Sequence, residues 1–201
     1  MSEVKTVAVI GGGTMGNGIV HVFAMNGFDV KLVETKQEFV DRAMNTVDKN
    51  LSRMVSKDKI SENDRSEALD RIQPHLNVPG AVLDADLIIE AVPENYELKK
   101  SIFEEVDKHA PDHAIMASNT SSISITKLAA VTSRPSRFIG MHFFNPVPVM
   151  KLVEVINGLE TDDEVTGSII GISEKLGKVP VPANDFPGFV SNRVLMPMIN
   201  E

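Results

Sequence analysis

The stretch TVAVIGGGTMG, Thr6–Gly16, decides the fold of this 201-residue chain. Its first five residues form a short β-branched run typical of a strand, and a helical pattern follows over residues 14–26. GGGTMG fits G-x-G-x-x-G, a spacing that is weak alone but strong between a strand and a helix. Gly11 permits the tight turn, Gly13 lets a pyrophosphate approach the backbone, and Gly16 allows helix and strand to pack closely. The pattern predicts a dinucleotide whose phosphates meet the helix N-terminus.

An acidic residue, Glu34, ends the next predicted strand, 23 positions beyond Gly11. Its carboxylate can accept hydrogen bonds from ribose hydroxyls and would repel a 2′-phosphate. The sequence therefore favours NAD over NADP, with tolerance of NADP left open by Lys36. Two other interpretations stay open: a flavin site, which shares the fingerprint, and a glycine-rich turn without a ligand. A P-loop is excluded, because no Gly-Lys-Ser/Thr follows the turn.

Strand-like and helix-like segments alternate along the rest of the chain, which is typical of a parallel α/β sheet. Two polar helices form a helical arm over about residues 37–72, and Pro79-Gly80 predicts a turn. The expected fold is a doubly wound, mostly parallel, Rossmann-type sheet. Its further strands are DVKLVE (Asp29–Glu34), ADLIIEAV (Ala85–Val92), AIMASN (Ala114–Asn119), FIGMHFF (Phe138–Phe144), KLVEVI (Lys151–Ile156) and, at an edge, KVPVPA (Lys178–Ala183).

The segment GFVSNRVLMPMINE (Gly188–Glu201) predicts a helix that is apolar over much of its surface. Such a helix requires a partner. We expect an NAD-binding domain at residues 1–184 and, at residues 185–201, the first helix of a truncated helical C-terminal domain. The alternative is a helix that packs on the same domain or on a neighbouring subunit.

Composition excludes several classes of function. The chain has 20 Lys and Arg against 28 Asp and Glu, and a formal charge of −8 argues against non-specific nucleic-acid binding. No apolar run approaches the roughly 20 residues of a membrane span. The absence of cysteine excludes disulfides, zinc–thiolate sites and a cysteine nucleophile. The N-terminus lacks the pattern of a signal peptide, so a cytoplasmic protein is expected.

Among the five histidines, His142 lies at the carboxyl end of a predicted strand, where α/β sheets present ligand groups. By that position alone, a satisfied core histidine is the favoured interpretation. Polar residues 118–122 follow a neighbouring strand, and Glu154 lies inside an apolar run, where a carboxylate is costly unless paired. A pair with His142 would fix the imidazole tautomer and raise its basicity, as a general base requires. His21, inside the first helix, is interpreted as a packed helix residue.

Five motifs occur in order over nearly the whole chain: GGGTMG, AVPEN, SNTSS, HFFNPVPVMKLVEV and DFPGFVSNR. In them the sequence resembles the L-3-hydroxyacyl-CoA dehydrogenases, including the bacterial 3-hydroxybutyryl-CoA dehydrogenases. The resemblance implies hydride transfer between NAD and C3 of an (S)-3-hydroxyacyl-CoA, in fatty-acid or butyrate metabolism and without a metal. It also implies that the full-length chain is a homodimer, formed through a C-terminal domain.

The resemblance assigns roles to individual residues. It implies that His142 is the catalytic base, that Glu154 orients it, and that Ser121 and Asn192 hold the substrate. On the arm it implies CoA contacts, beside the basic residues Lys49, Arg53 and Lys59, at Asn50 and Lys57. The implied cofactor contacts are Gly11, Gly13, Thr14, Met15, Gly16, Glu34, Glu94, Lys99, Ser121 and Asn145.

Two departures and two alternatives remain. Glu34 stands where many members of the family carry Asp, a change that still favours NAD. The predicted C-terminal domain is represented by one helix, so this 201-residue fragment is expected to be weakly active. The alternatives are an isolated NAD-binding module with little activity and a dehydrogenase of a non-CoA hydroxy acid, against which the basic arm argues.

Overall fold

The computed structural model describes residues 4–200, and its centre is one eight-stranded sheet. Its strands are β1 (Thr6–Ile10), β2 (Asp29–Val33), β3 (Ile72–His75), β4 (Leu87–Glu90), β5 (Ile115–Ser118), β6 (Phe138–Phe143), β7 (Leu152–Asn157) and β8 (Val179–Asn184). Their spatial order is β3-β2-β1-β4-β5-β6-β7-β8. Neighbours pair in parallel apart from β6 and β7, which are antiparallel.

The described residues form eight α-helices, and the first seven of them contribute side chains to the cores on the two faces of the sheet. The eight helices are α1 (Thr14–Met25), α2 (Gln37–Val55), α3 (Glu62–Asp70), α4 (Val78–Val82), α5 (Tyr96–His109), α6 (Ile125–Ala129), α7 (Asp163–Lys175) and α8 (Ser191–Asn200). Side chains of α1, α2, α3 and α7 form one core with the sheet, and those of α4, α5 and α6 form another on the opposite face. The predicted doubly wound, mostly parallel fold is confirmed.

The local patterns explain these elements. Strands β4 and β6 are buried along their whole length, as expected for apolar strands with helices on both faces. Helix α1 buries Ile19, Val20 and Phe23, and the chain leaves it through Gly27 at φ +82°, a left-handed conformation that favours glycine. At the sheet edge, β8 accommodates Pro180 and Pro182, because one side of an edge strand needs no ladder donors.

Two features differ from expectation. The turn expected at Pro79-Gly80 is wrong: these residues lie in α4, whose first turn accepts proline and whose preceding Asn77 caps the Gly80 amide at 2.9 Å. Strand β3 was not predicted, because only Ile72 of its four residues is buried and no apolar period is present.

Strand order positions the site. From β1 the chain turns to β2 and β3 on one side, and later returns to β4 on the other side of β1. The loop after β1 therefore lies at the point where the strand order reverses, the usual place for a ligand. The carboxyl ends of β4, β5 and β6 reach the same edge.

Helix α8 begins at Ser191, three residues later than the sequence pattern suggested. None of its residues is buried by the part of the chain that the structure describes, and Met198 and Ile199 are about two-thirds exposed, at 69% and 66%. Within residues 4–200 there is no helix long and apolar enough to cross a bilayer.

Candidate active site

The glycine loop (residues 11–16) has the geometry that its sequence predicts. Gly11 adopts φ +97°, and a Cβ on Gly16 would lie 1.7 Å from the Gly11 carbonyl oxygen, so both positions require glycine. A Cβ on Gly13 would meet no described atom within 4 Å, because this residue faces open space. None of the described side chains caps the N-terminus of α1 at Gly13. Its first-turn amides and dipole are therefore available to an anion.

Beside the loop lies a cleft of about 620 Å³, which is large enough for a nucleoside. Glu34 lines it, and its Oε1 accepts the Gly12 amide at 2.6 Å. The cleft walls are mostly apolar and include Val33, Leu76 and Val92, as an adenine ring requires. An open glycine backbone, an uncapped helix and a carboxylate that lines the cleft together match the dinucleotide that the sequence predicts.

His142 and Glu154 face each other across the antiparallel pair of strands. They are direct partners in the β6–β7 register, and His142 Nδ1 lies 2.7 Å from Glu154 Oε2. Both side chains are buried, with Glu154 only 1% exposed. Burial raises the pKa of Glu154, but hydrogen bonds from His142 and Ser191 outweigh this effect and hold its pKa below the ordinary value.

The other imidazole nitrogen faces the serine loop (residues 118–122). Ser121 Oγ lies 3.0 Å from His142 Nε2, and Asn192 Nδ2 donates to the Ser121 carbonyl at 3.3 Å. The rings of Phe144 and Phe189 lie 4.6 and 5.9 Å from the imidazole, centroid to centroid. The structure therefore brings together the four residues for which the resemblance implies a catalytic role.

Glu94 organises the serine loop. Its Oε1 accepts the Thr120 hydroxyl, the Ser122 hydroxyl at 2.8 Å and the Ser121 and Ser122 amides at 3.2 Å each. Burial raises the pKa of Glu94, but these hydrogen bonds and the charge of Lys99, 3.3 Å from Oε2, lower it below the ordinary value. Glu94 thus shapes the loop that carries Ser121.

The remaining predicted contacts are more scattered. Asn145 and Asn50 line one cavity of about 450 Å³ together with Thr14 of the glycine loop. The Met15 side chain packs partly against the core, and Lys57 is exposed in the turn after α2. Lys99 is enclosed between carboxylates and is not open to the cleft.

Sequence reasoning missed Glu90 and Ser191. Glu90 is fully buried at the end of β4, where its Oε2 accepts the Ser118 hydroxyl at 2.6 Å. A carboxylate inside an apolar run was the signal that singled out Glu154, and ADLIIEAV carries the same signal. Ser191, which binds Glu154, has no comparable signal, because it lies in a polar helix start far along the chain.

Comparisons with known proteins agree with this geometry. Residues 6–186 match the family described as "3-hydroxyacyl-CoA dehydrogenase, NAD binding domain". A probable 3-hydroxybutyryl-CoA dehydrogenase of Bacillus subtilis is 47% identical over 199 residues, which cover 99% of this chain and 69% of that protein. The mitochondrial hydroxyacyl-coenzyme A dehydrogenase of Sus scrofa is 42% identical, over 98% of this chain and 65% of that protein.

Solved structures give the same result. The crystal structure of (S)-3-hydroxybutyryl-CoA dehydrogenase from Ralstonia eutropha aligns with a TM-score of 0.96 at 48% identity, over 98% of this chain and 70% of that one. The family match, the sequence relatives and this shared fold agree over nearly all of the residues compared. The chain therefore belongs to the 3-hydroxyacyl-CoA dehydrogenase family, to its NAD-binding domain.

Proposed function

We propose that the protein is an NAD-dependent (S)-3-hydroxyacyl-CoA dehydrogenase in which His142 is the catalytic base. The observation that carries this proposal is the line of contacts from Ser121 through the His142 imidazole to the buried Glu154 carboxylate. Asn145, three residues after His142 in the chain, lines a cavity together with the glycine loop, which supports a cofactor site close to the imidazole.

The hydrogen bonds assign the protons. An ionised Glu154 accepts the Nδ1–H of His142, which leaves the Nε2 lone pair directed towards Ser121. During oxidation, Nε2 takes the proton of the substrate's 3-hydroxyl as the C3–H electron pair leaves as hydride, and a ketone forms at C3. Bound NAD supplies the hydride acceptor. Glu154 stabilises the imidazolium that results, while Ser121 and Asn192 orient the oxygens.

The acyl-CoA part of the proposal is supported by the arm. One face of α2 lines a cavity of about 690 Å³, with Arg42, Lys49 and Arg53 beside Asn50. Phosphates of CoA would neutralise these cations, whereas a small hydroxy acid would not need them. We propose that Asn50, on this face, and Lys57, in the turn after α2, contact CoA.

The test is His142→Ala. Positioned base catalysis contributes roughly 10²–10⁴-fold, so reduction of acetoacetyl-CoA by NADH should fall by about that factor. Binding of NADH, measured by fluorescence titration, should stay within about twofold because His142 is not part of the phosphate cradle. The matched control is His109→Ala, on the exposed end of α5. Wild-type turnover in His142→Ala would refute the assignment of the base.

We further propose that residues 185–200 begin a second, helical unit and that the protein works as a cytoplasmic homodimer. The exposed apolar side chains of α8 support a partner for that helix. NAD and CoA thioesters carry charged phosphates and do not cross bilayers unaided. A compartment that contains both, such as the cytoplasm, is therefore the expected location of the protein. Light scattering of the complete protein measures the oligomeric state, and a monomer at micromolar concentration would contradict the dimer. Residues 1–201 alone should bind NADH but turn over slowly.

A further inference from the structure

The second oxygen of Glu154 has a set of partners of its own. Oε2 holds His142, whereas Oε1 accepts the Ser191 amide at 2.7 Å, the Ser191 hydroxyl at 2.9 Å and the Val190 amide at 3.2 Å. The carboxylate therefore joins the imidazole on one side to the first residues of α8 on the other.

The backbone before α8 makes this contact possible. Gly188 and Phe189 adopt φ +77° and +51°, and this left-handed pair turns the chain so that the first amides of α8 point at Glu154. Phe189 is buried beside the imidazole, and Asn192 reaches the Ser121 carbonyl. Residues 189–192 thus contact the imidazole, the carboxylate and the loop that carries Ser121.

Each donor to Oε1 withdraws negative charge from the carboxylate that His142 faces. Two of the three donors are backbone amides, which the fold fixes. The third is the Ser191 hydroxyl, which is the only one that a side-chain substitution can remove while leaving the others in place. A carboxylate that loses one charge-assisted donor becomes a stronger acceptor for its remaining partner.

We propose that Ser191 is a positioning residue that acts through Glu154 to set how strongly the His142 imidazole holds its proton. This inference rests on the proposed function of His142 as the base. On the other side of the imidazole, Glu94 is paired with Lys99 and accepts the amide of Ser121, whose hydroxyl contacts His142. From β8, the residue in register with Glu154 is the apolar Val181.

The experiment compares Ser191→Ala with Ser191→Thr, which keeps the hydroxyl. The ring resonances of His142 are followed by NMR against pH in the cofactor-free protein, and the acid limb of kcat/KM for 3-hydroxybutyryl-CoA oxidation is measured in the complete protein. In Ser191→Ala, both the ring titration midpoint and the acid limb should move to higher pH by about half a unit, a fraction of what one charge-assisted hydrogen bond can contribute. Ser191→Thr should match the wild type.

Ser191→Gly removes the same hydroxyl with a different helix propensity and must reproduce the shift. An unchanged midpoint in both hydroxyl-free variants, or a move to lower pH, would overturn the inference. The NMR readout does not depend on turnover, so it separates this inference from the proposed function. If His142→Ala stays fully active, the proposed function fails whatever the midpoint does.

Discussion

The ammonium of Lys99 lies 2.6 Å from Glu90 Oε1, and the two side chains are 2% and 0% exposed. The same carboxylate accepts the Val92 amide at 2.7 Å and the Ser118 hydroxyl at 2.6 Å. The ion pair therefore joins α5 to the ends of β4 and β5, directly beneath the loop that carries Ser121.

The first prediction follows from this burial. Lys99→Met leaves the Glu90 carboxylate buried without its partner, and breaking such a pair costs about 3–5 kcal/mol. Urea denaturation at pH 7 should show that loss of unfolding free energy. Lys100→Met, at the neighbouring and more exposed position, should cost less than about 0.5 kcal/mol. Equal losses in the two variants would mean that Glu90 finds other partners or takes up a proton.

The second prediction concerns cofactor choice. Glu34→Gln keeps the shape of the side chain and its contact with Gly12 but removes the charge that opposes a 2′-phosphate. We expect the ratio of kcat/KM for NAD over NADP to fall about 10-fold, corresponding to about 1.4 kcal/mol. Glu174→Gln, on the exposed side of α7, provides the control and should leave the ratio unchanged. A constant ratio in Glu34→Gln would contradict the ribose assignment.

The third prediction tests the arm. Replacing Lys49 and Arg53 together by alanine removes two cations from the cavity on α2. The KM for acetoacetyl-CoA should rise about 10-fold, since each exposed charge contributes up to ~1 kcal/mol, while the KM for NADH stays constant. A double alanine variant at Lys100 and Lys108 on α5 controls for net charge. If free 3-hydroxybutyrate is oxidised as well as its CoA thioester, the CoA site is disproved.

The fourth prediction uses His21, whose Nδ1 has no hydrogen-bond partner among the described residues. Burial and, secondarily, the charge of Lys178 lower the pKa of His21 from 6.5 to about 4. The folded protein keeps this ring neutral while the unfolded chain takes up a proton below pH 6.5. The unfolding free energy is therefore undiminished by His21 above pH 6.5. As the pH falls towards 4, His21 lowers it by at most about 3 kcal/mol.

His21→Leu should remove that loss, so the unfolding free energy of the variant should vary less between pH 6.5 and 4.5. The measurement is urea denaturation across this range, with His109→Leu on the exposed end of α5 as the control. If the unfolding free energy of His21→Leu and of the wild type had the same pH slope, His21 would not be the source of the loss at low pH.

A functional residue could be predicted from the sequence where the physical constraint on it arises from its neighbours in the chain. The glycine loop could be predicted because only glycine fits its turn and its close packing, and Glu154 because a carboxylate in an apolar run needs a partner. The same argument applies to Glu90 but needs the position of Lys99, which only the packing of α5 on β4 provides. Ser191 depends on a left-handed turn at Phe189 and on strand register, neither of which a local pattern encodes.

The direct pairing of His142 with Glu154 also determines which insertions the site can tolerate. Side chains alternate between the two faces of a strand, and opposite partners share a face. Lengthening the connection between the two strands at residues 144–151 leaves this partnership intact. A single residue added inside β6 between Phe138 and His142, with Phe138 held in register with Met116 of β5, would turn the imidazole to the face of the sheet opposite the carboxylate. Length changes in the connection are therefore tolerated, whereas a one-residue insertion inside β6 before His142 abolishes proton transfer.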